Sequence, residues 1–437
     1  MFRNYLDIVN NGRTEELRKG RKDILSILSS VLEAIDPYKI TLNYLKNRDF
    51  SDCDDIYLLA FGKASLRMAE GAMDAVDIKE GIVITTENRK VGKDNIRTFQ
   101  GDHPIPTERN IEATEEALKM IERCKEKDML IVLISGGGSS LLCKPRIPLE
   151  DMQKLTELLL KCGADIKEIN TLRKHLSYVK GGQLLRFVKC NVLSCIISDV
   201  VGDPVDSIAS GPTAPDTSTF HDAREILIKY DLWNKVPSSV RDIIQKGLNG
   251  QIEETPKAGD RIFQRVENVI IANNELACQA AKRKAEELGY RAEIISSTLA
   301  GDARVAGEKL VEYLSSKSRG DVIISGGETT VKVRGKGKGG RNQEMVLSVI
   351  DKLERDMLFV SFATDGVDGN SDAAGAVADG YTKIRAEEMG LDFRKYLENN
   401  DSYHFFKELG DLLITGKTGT NVMDVQIGMR CEDVKRV

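Results

Sequence analysis

The chain has 437 residues, 41% of them hydrophobic, which is enough for two α/β domains with real cores. Lys and Arg number 63 against 68 Asp and Glu, and a formal net charge of -5 argues against a general nucleic-acid binder. Eight cysteines, at 53, 124, 143, 162, 190, 195, 278 and 431, form no CxxC pair, and only four histidines exist; this excludes a zinc framework and a His-rich metal site and favours free thiols in a reducing compartment.

The opening MFRNYLDIVNN lacks an apolar h-region and no apolar run approaches a membrane span, so a soluble, cytoplasmic protein is expected. Residues 14–34 set Leu17, Ile24, Leu25, Ile27, Leu28 and Leu32 among charges, which predicts an amphipathic helix. Residues 56–61 predict a short strand running into Gly62, Lys63, Ala64 and Ser65, so Lys63 stands at a strand end and at the mouth of a helix. A strand at 81–85 and a helix at 111–123 follow. Residues 129–134, MLIVLI, read as a strand buried on both faces. Ser135, Gly136, Gly137, Gly138, Ser139 and Ser140 come next. Three successive glycines give a tight turn whose backbone a ligand can approach closely. Free N–H groups and a helix dipole there favour an anion, by about 0.3–1 kcal/mol for the dipole alone.

Helices are predicted at 151–162 and 169–179, then a strand at 192–197 that leads into Asp199 and Asp203. The loop 202–219, GDPVDSIASGPTAPDTST, is long enough to be a lid or a binding loop. A helical stretch at 221–248 precedes the polar segment 250–260, the expected linker. Beyond it lie a strand at 268–272, a helix at 274–288, a strand at 291–296 and a helix at 302–315. The strand-then-glycine pattern is expected twice more, in 321–330 (DVIISGGETT, with Ser325, Gly326, Gly327 and Glu328) and in 412–421 (LLITGKTGTN). Repeated strand–helix alternation predicts α/β architecture with a mostly parallel sheet, helices on both faces, and ligands at the carboxyl ends of the strands.

Two further stretches could carry chemistry. In KGKGGRNQE, residues 336–344, the spacing of Gly335, Gly337 and Gly340 formally satisfies GxGxxG between an expected strand at 330–334 and an expected helix at 345–353. Lys336, Lys338 and Arg341 make that loop cationic, and a mobile basic loop suits a triphosphate better than the pyrophosphate of a dinucleotide. In ATDGVDGNSDAAG, Asp365, Asp368 and Asp372 crowd a strand end. Such grouping is costly without a cation, and Mg²⁺ is held by one or two carboxylates plus phosphate oxygens. Asp199 and Asp203 form a second acidic pair, and either set could supply a base. The GKT at 416–418 fails the Walker A spacing, because position 411 is Asp, and no HRD or DFG pattern occurs; a P-loop NTPase and a protein kinase are excluded. His103 and His175 are lone histidines for which a structural role is favoured, and Ser139 has no triad partners in sequence.

The motifs AFGKAS, GDHPIP, LISGGGSSLL, NTLRKHLSYVKGGQL, SDVVGD, ASGPT, SGGETTV, GGRNQE, ATDGVDG and TGKTGTNV, spread over residues 58–425 in one order, resemble the glycerate 2-kinase family, whose C-terminal part is called MOFRL. The resemblance implies ATP-dependent phosphorylation of D-glycerate at its 2-hydroxyl to give 2-phosphoglycerate, with Mg²⁺ or a similar ion. In archaeal relatives this step belongs to non-phosphorylative sugar breakdown. It also implies a Rossmann-like α/β domain over 1–255 and a smaller MOFRL-type α/β domain over 256–437, with the strand at 425–429 a candidate to return to the first sheet. The reaction is expected in the cleft between the domains. Carried onto this chain, Lys63 and Arg341 would stabilise the transferring phosphoryl group, Asp199 and Asp365 would share the roles of base and metal ligand with Asp368 beside them, and residues 136–140, Ser325 to Glu328, Lys336 and Lys338 would hold phosphates or the glycerate carboxylate. The expected partners are small molecules, with no nucleic acid and no membrane, and a homodimer is left open. Two rivals are a nicotinamide-dependent hydroxypyruvate reductase, drawing on the formal GxGxxG, and a non-catalytic sugar-acid or nucleotide sensor. Arg341→Ala is expected to lower turnover far more than stability, since the glycine loop around it adds little core.

Overall fold

The computed structural model describes residues 1–432. Six strands form the first sheet: β1 (Ile56–Phe61), β2 (Glu80–Thr85), β3 (Ile96–Gln100), β4 (Met129–Ile134), β5 (Asn191–Ile197) and β6 (Val266–Ala272), in the order β3-β2-β1-β4-β5-β6. β1 pairs in parallel with both β2 and β4, β2 with β3, and β4 with β5. After its first residue every position of β1, β2 and β4 is buried, the signature of strands covered on both faces. The strand order reverses between β1 and β4, so this is the switch point where open α/β sheets present a crevice at their carboxyl ends. β3 is absent from the sequence reading because it is an edge strand, IRTFQ, with one buried residue in five. The helical stretch at 221–248 is two helices, Phe220–Lys229 and Ser238–Leu248; the first stops just before Asp231, which takes a left-handed conformation, and the second starts after Pro237.

The second sheet contains β7 (Arg291–Asp302), β8 (Asp321–Thr330), β9 (Met357–Ala363), β10 (Gly375–Asp379), β11 (Leu412–Leu413) and β12 (Asp424–Arg430), in the order β11-β10-β9-β12-β8-β7. Only the β7–β8 pair is parallel; β8–β12, β12–β9, β9–β10 and β10–β11 are antiparallel. β12 lies at the middle of this sheet and does not return to the first. The helices Ala303–Ser315 and Arg341–Ser348 pack over it in a core that includes Leu310, Leu314, Met345, Leu347, Phe359 and Phe405.

The chain folds into two compact units, and a cut at 255/256 does not separate them. One comprises Pro37–Ser198 and Asp203–Ile271; the other comprises Met1–Asp36, Asp199–Gly202 and the chain from Ala272 onward. The segment 250–260 is not a linker: Thr255 Oγ1 donates to Asp216 Oδ2 at 2.9 Å, and the Asp216 N–H donates to the Pro256 carbonyl at 2.9 Å. β6, which follows it, completes the first sheet. The N-terminal helix Glu15–Ala34, capped by Thr14, belongs with the second sheet for an electrostatic reason. Its Arg21 is fully buried and donates from Nε to Asp379 Oδ2 at 2.8 Å and from Nη1 to Asp411 Oδ1 at 2.7 Å. Those two buried carboxylates need that guanidinium. Among the described residues, no helix is long and apolar enough to cross a membrane.

Candidate active site

In the parallel-sheet unit the turns after β1 and β4 are knitted together. The Lys63 N–H donates to the Gly136 carbonyl at 2.8 Å, and the Ala64 N–H donates to Ser135 Oγ at 3.1 Å. Gly62, at φ +123, has no room for a Cβ, which would collide with Ser135. Gly137 takes a left-handed conformation, φ +80, and a Cβ there would come 3.0 Å from His103 Cδ2 and 3.3 Å from Lys63 Cγ. His103, Lys63 and the glycine turn therefore sit side by side, His103 brought in by the loop after β3. The Lys63 side chain is exposed, and its ammonium makes no hydrogen bond or ion pair among the described residues. Desolvation of the His103 ring, and then the Lys63 charge, hold that imidazole below its ordinary pKa.

The long loop expected from the sequence packs onto this turn. Ser139 Oγ and Ser210 Oγ share a hydrogen bond of 2.8 Å, and Ser210 Oγ donates to Asn170 Oδ1 at 3.2 Å. Asp203, Ala209 and Ser210 all hold positive φ, a strain that non-glycine residues keep only where their surroundings impose it. The buried Lys174 ammonium anchors the loop through Asp216 at 3.1 Å and Asp206 at 3.5 Å. His175 is fully buried, with Nδ1 2.8 Å from the Thr171 carbonyl and its ring 4.7 Å from that of Phe220.

Beneath the glycine turn lies a cavity of about 350 Å³, lined by His103, Gly137, Ser139 and Ser140 together with Arg173 and Lys180. Sequence reasoning missed these last two. They lie in the NTLRKHLSYVKGGQL motif, and in a continuous helix they would read as a solvated basic face. The helix instead ends at His175, Gly181 and Gly182 take left-handed conformations, and the chain doubles back. Lys180 is buried and donates to the Ser139 carbonyl and, at 3.0 Å, to the Leu142 carbonyl. Burial lowers its pKa to about 8.

The mixed-sheet unit carries the second set of expected residues, and here the structure departs from the sequence reading. Ser325, Gly326, Gly327 and Glu328 are not a turn. They lie inside β8, where Ser325, Gly326 and Gly327 pair with Gln426, Val425 and Asp424 of β12. Side chains at Gly326 and Gly327 would collide with Asn274 and with the backbone of Leu299, so these glycines serve close packing and not a phosphate cradle.

The loop with Gly335, Gly337 and Gly340 is pinned. The N–H groups of Arg334 and Gly335 donate to Asn400 Oδ1, that of Lys336 to Asn399 Oδ1, that of Lys338 to Asp401 Oδ1 and that of Gly339 to Asn370 Oδ1. A dinucleotide fingerprint needs those groups for a pyrophosphate. Lys338 sits 3.8 Å over the Tyr403 ring and 3.8 Å from Asp372, while Lys336 is exposed.

Arg341 opens the helix Arg341–Ser348. It donates from Nε to Asp424 Oδ2 at 2.5 Å, from Nη2 to Asp424 Oδ1 at 3.1 Å and from Nη1 to Glu328 Oε1 at 2.6 Å. Burial opposes its charge, but Asp424 and Glu328 outweigh burial and hold its pKa above the ordinary value. Burial drives the Asp424 carboxyl up to about 6 against the pull of Arg341, and sequence reasoning missed Asp424 because it reads as one more strand-end Asp. Arg341 and Glu328 line a cavity of about 560 Å³.

The acidic loop does not gather a metal cage. Asp368 is fully buried, and both of its oxygens are occupied: Oδ1 by the N–H and Nδ2 of Asn342 at 3.1 Å, Oδ2 by the N–H and Nε2 of Gln343 at 2.9 Å. It therefore caps the helix that carries Arg341, and burial raises its pKa. Asp365 Oδ1 accepts from the Val367 N–H at 3.0 Å, and Asp372 is exposed. Among the described residues no group of three or more His, Cys, Asp or Glu is placed to hold a metal ion. Asp199 is half-buried just beyond β5, in the 199–202 segment.

Fold and site together define an α/β protein with interlocked glycine turns at the switch point of a parallel sheet and a carboxylate-gripped arginine at the start of a helix in a mixed one. Residues 23–245 match the model of a domain of unknown function, DUF4147, and residues 321–424 match the MOFRL family. A glycerate 2-kinase of Pyrococcus horikoshii is 42% identical over 425 residues, covering 93% of this chain and 96% of its own. The crystal structure of a glycerate kinase from Thermotoga maritima is 40% identical, covers 94% of this chain and 99% of its own, and superposes with a TM-score of 0.86. A putative hydroxypyruvate reductase of Agrobacterium vitis is 37% identical, with 93% of each chain covered. The chain belongs to the glycerate kinase family that carries a MOFRL domain.

Proposed function

We propose that the chain transfers a phosphoryl group from ATP to the 2-hydroxyl of D-glycerate, releasing 2-phosphoglycerate and ADP. The observation that carries the reading is the uncommitted Lys63 ammonium beside the 136–140 turn, at the switch point of a parallel sheet. Phosphoryl transfer is mostly positioning and charge stabilisation. Lys63 meets the charge that grows on the transferring group. Arg341, held in a fixed orientation by Asp424 and Glu328, is a fixed cation of the mixed-sheet unit suited to a phosphate or a carboxylate. Asp199 or Asp365 takes the hydroxyl proton. A divalent ion accompanying the triphosphate needs only one or two protein carboxylates, and no step here rests on a resident ion.

The names of the kinase relatives support this reading. The pinned 335–340 loop counts against a reductase that would use it for a nicotinamide dinucleotide, whatever name the Agrobacterium vitis relative carries. The test is to incubate the protein with D-glycerate, ATP and Mg²⁺ and follow the product by phosphorus NMR. A 2-phosphoglycerate resonance with matching ADP is expected. A 3-phosphoglycerate product would overturn the regiochemistry, and oxidation of NADH by hydroxypyruvate without ADP formation would overturn the kinase.

A further inference from the structure

The cavity beneath the 136–140 turn is larger than a three-carbon acid needs, since spaces of about 300–1,000 Å³ take drug-sized ligands. Its lining is mixed: the glycine turn, Arg173 and Lys180 are polar, Ile105, Met152 and Leu160 are apolar, and Gln153, Thr156 and Glu157 line it too. Arg173 decides what the polar lining is for. Its side chain is half-buried against the cavity, and burial lowers its pKa. Yet among the described residues it makes no hydrogen bond and no ion pair. A guanidinium with that much desolvation and no partner is set up for an anion brought by a ligand. Lys180 cannot be relieved by a carboxylate either, because its protein partners are the Ser139 and Leu142 carbonyls.

We propose that this cavity is the nucleotide pocket: the phosphates of a nucleoside triphosphate lie on the glycine turn, Arg173 and Lys180, and its base packs on Ile105, Met152 and Leu160. Glycerate, small and wholly polar, would leave those side chains uncovered. The assignment rests on the kinase reading and adds which substrate this unit takes.

Two variants test it. Arg173→Met removes a charge that has no protein partner, and Leu160→Asp places a carboxylate at a side chain that is 64% exposed; both should fold. ADP affinity is measured by calorimetry, and the KM for each substrate by steady-state assay. Each variant is expected to weaken ADP at least tenfold and to raise the KM for ATP, with the KM for glycerate within twofold. Adenosine, which lacks phosphates, is expected to bind Arg173→Met as tightly as the wild type, but Leu160→Asp poorly. A wild-type enzyme that makes phosphoglycerate while both variants keep their ADP affinity would overturn the pocket and leave the kinase standing. A rise in the KM for glycerate alone would likewise overturn it, by placing the acid here. A wild-type protein that binds no ADP would overturn both.

Discussion

The cations at the two candidate sites are held in opposite ways. In the parallel-sheet unit Lys63 and Arg173 are left without carboxylate partners, and Lys180 has only carbonyls. In the mixed-sheet unit Arg341 is gripped through three hydrogen bonds by Asp424 and Glu328, and the helix it opens is capped by Asp368. An unpaired cation is a binding device whose removal costs the fold little. A gripped cation is an orienting device that the fold also depends on. Function and stability should separate in the first unit and travel together in the second.

The largest effect is expected for Arg341→Ala. Removing it leaves the buried Asp424 carboxylate uncompensated, so stability in urea should fall by about 3–5 kcal/mol near pH 8, along with turnover. This revises the expectation from sequence, in which stability was nearly spared. Asp424 already binds its proton more tightly folded than unfolded, with a pKa of about 6. Its contribution is therefore fully present below the ordinary carboxylate range of about 4 and is lost as pH rises through about 6. Without Arg341 that loss deepens, so the variant's deficit should shrink near pH 5. A deficit independent of pH would break the comparison on this side.

Lys63→Ala should do the reverse. Turnover is expected to fall by about 100- to 1,000-fold, while the unfolding free energy in urea stays within about 0.5 kcal/mol of the wild type. A stable variant with full turnover would remove Lys63 from the chemistry. The smallest effect concerns Lys180. Its pKa of about 8 predicts that ADP affinity declines severalfold as pH rises through that value, because the neutral amine no longer attracts phosphate. The groups facing it are Arg173, which stays charged, and the Cys143 thiol, which burial holds above its ordinary pKa. Lys180→Met should flatten the profile, and an unchanged slope in that variant would assign the titration elsewhere.

Much of the first sheet was legible because strands such as β1 and β4 are apolar on both faces and run into glycine turns, at Gly62 and at Gly136–Gly138. The amphipathic helix Glu15–Ala34 was legible in its period. What was not legible was context. SGGETT looks like a strand followed by a turn, yet β8 runs through it, because Asn274 and Leu299 approach so closely that only glycine fits. KGKGG looks like a phosphate loop, yet Asn399, Asn400 and Asp401, some sixty residues later, consume its donors. Asp368 looks like a metal ligand until Asn342 and Gln343 are seen to occupy it. Arg173 and Lys180 are ordinary basic residues until the chain bends at Gly181 and Gly182. For the first three the deciding partner is remote in sequence, and no local pattern encodes it; for Arg173 and Lys180 the bend is local, but what it turns them toward is not.

The ion cluster of Arg21, Asp379 and Asp411 has a consequence for anyone who would dissect this molecule. A gene fragment starting at codon 256 would carry β6 away from its neighbours and leave two interior carboxylates with no Arg21 to answer them. Splicing residues 1–36 ahead of 272 is the excision that respects the charges. The two ends of this chain are thus one folding unit, and a fragment that keeps only one of them loses the charge balance of its interior.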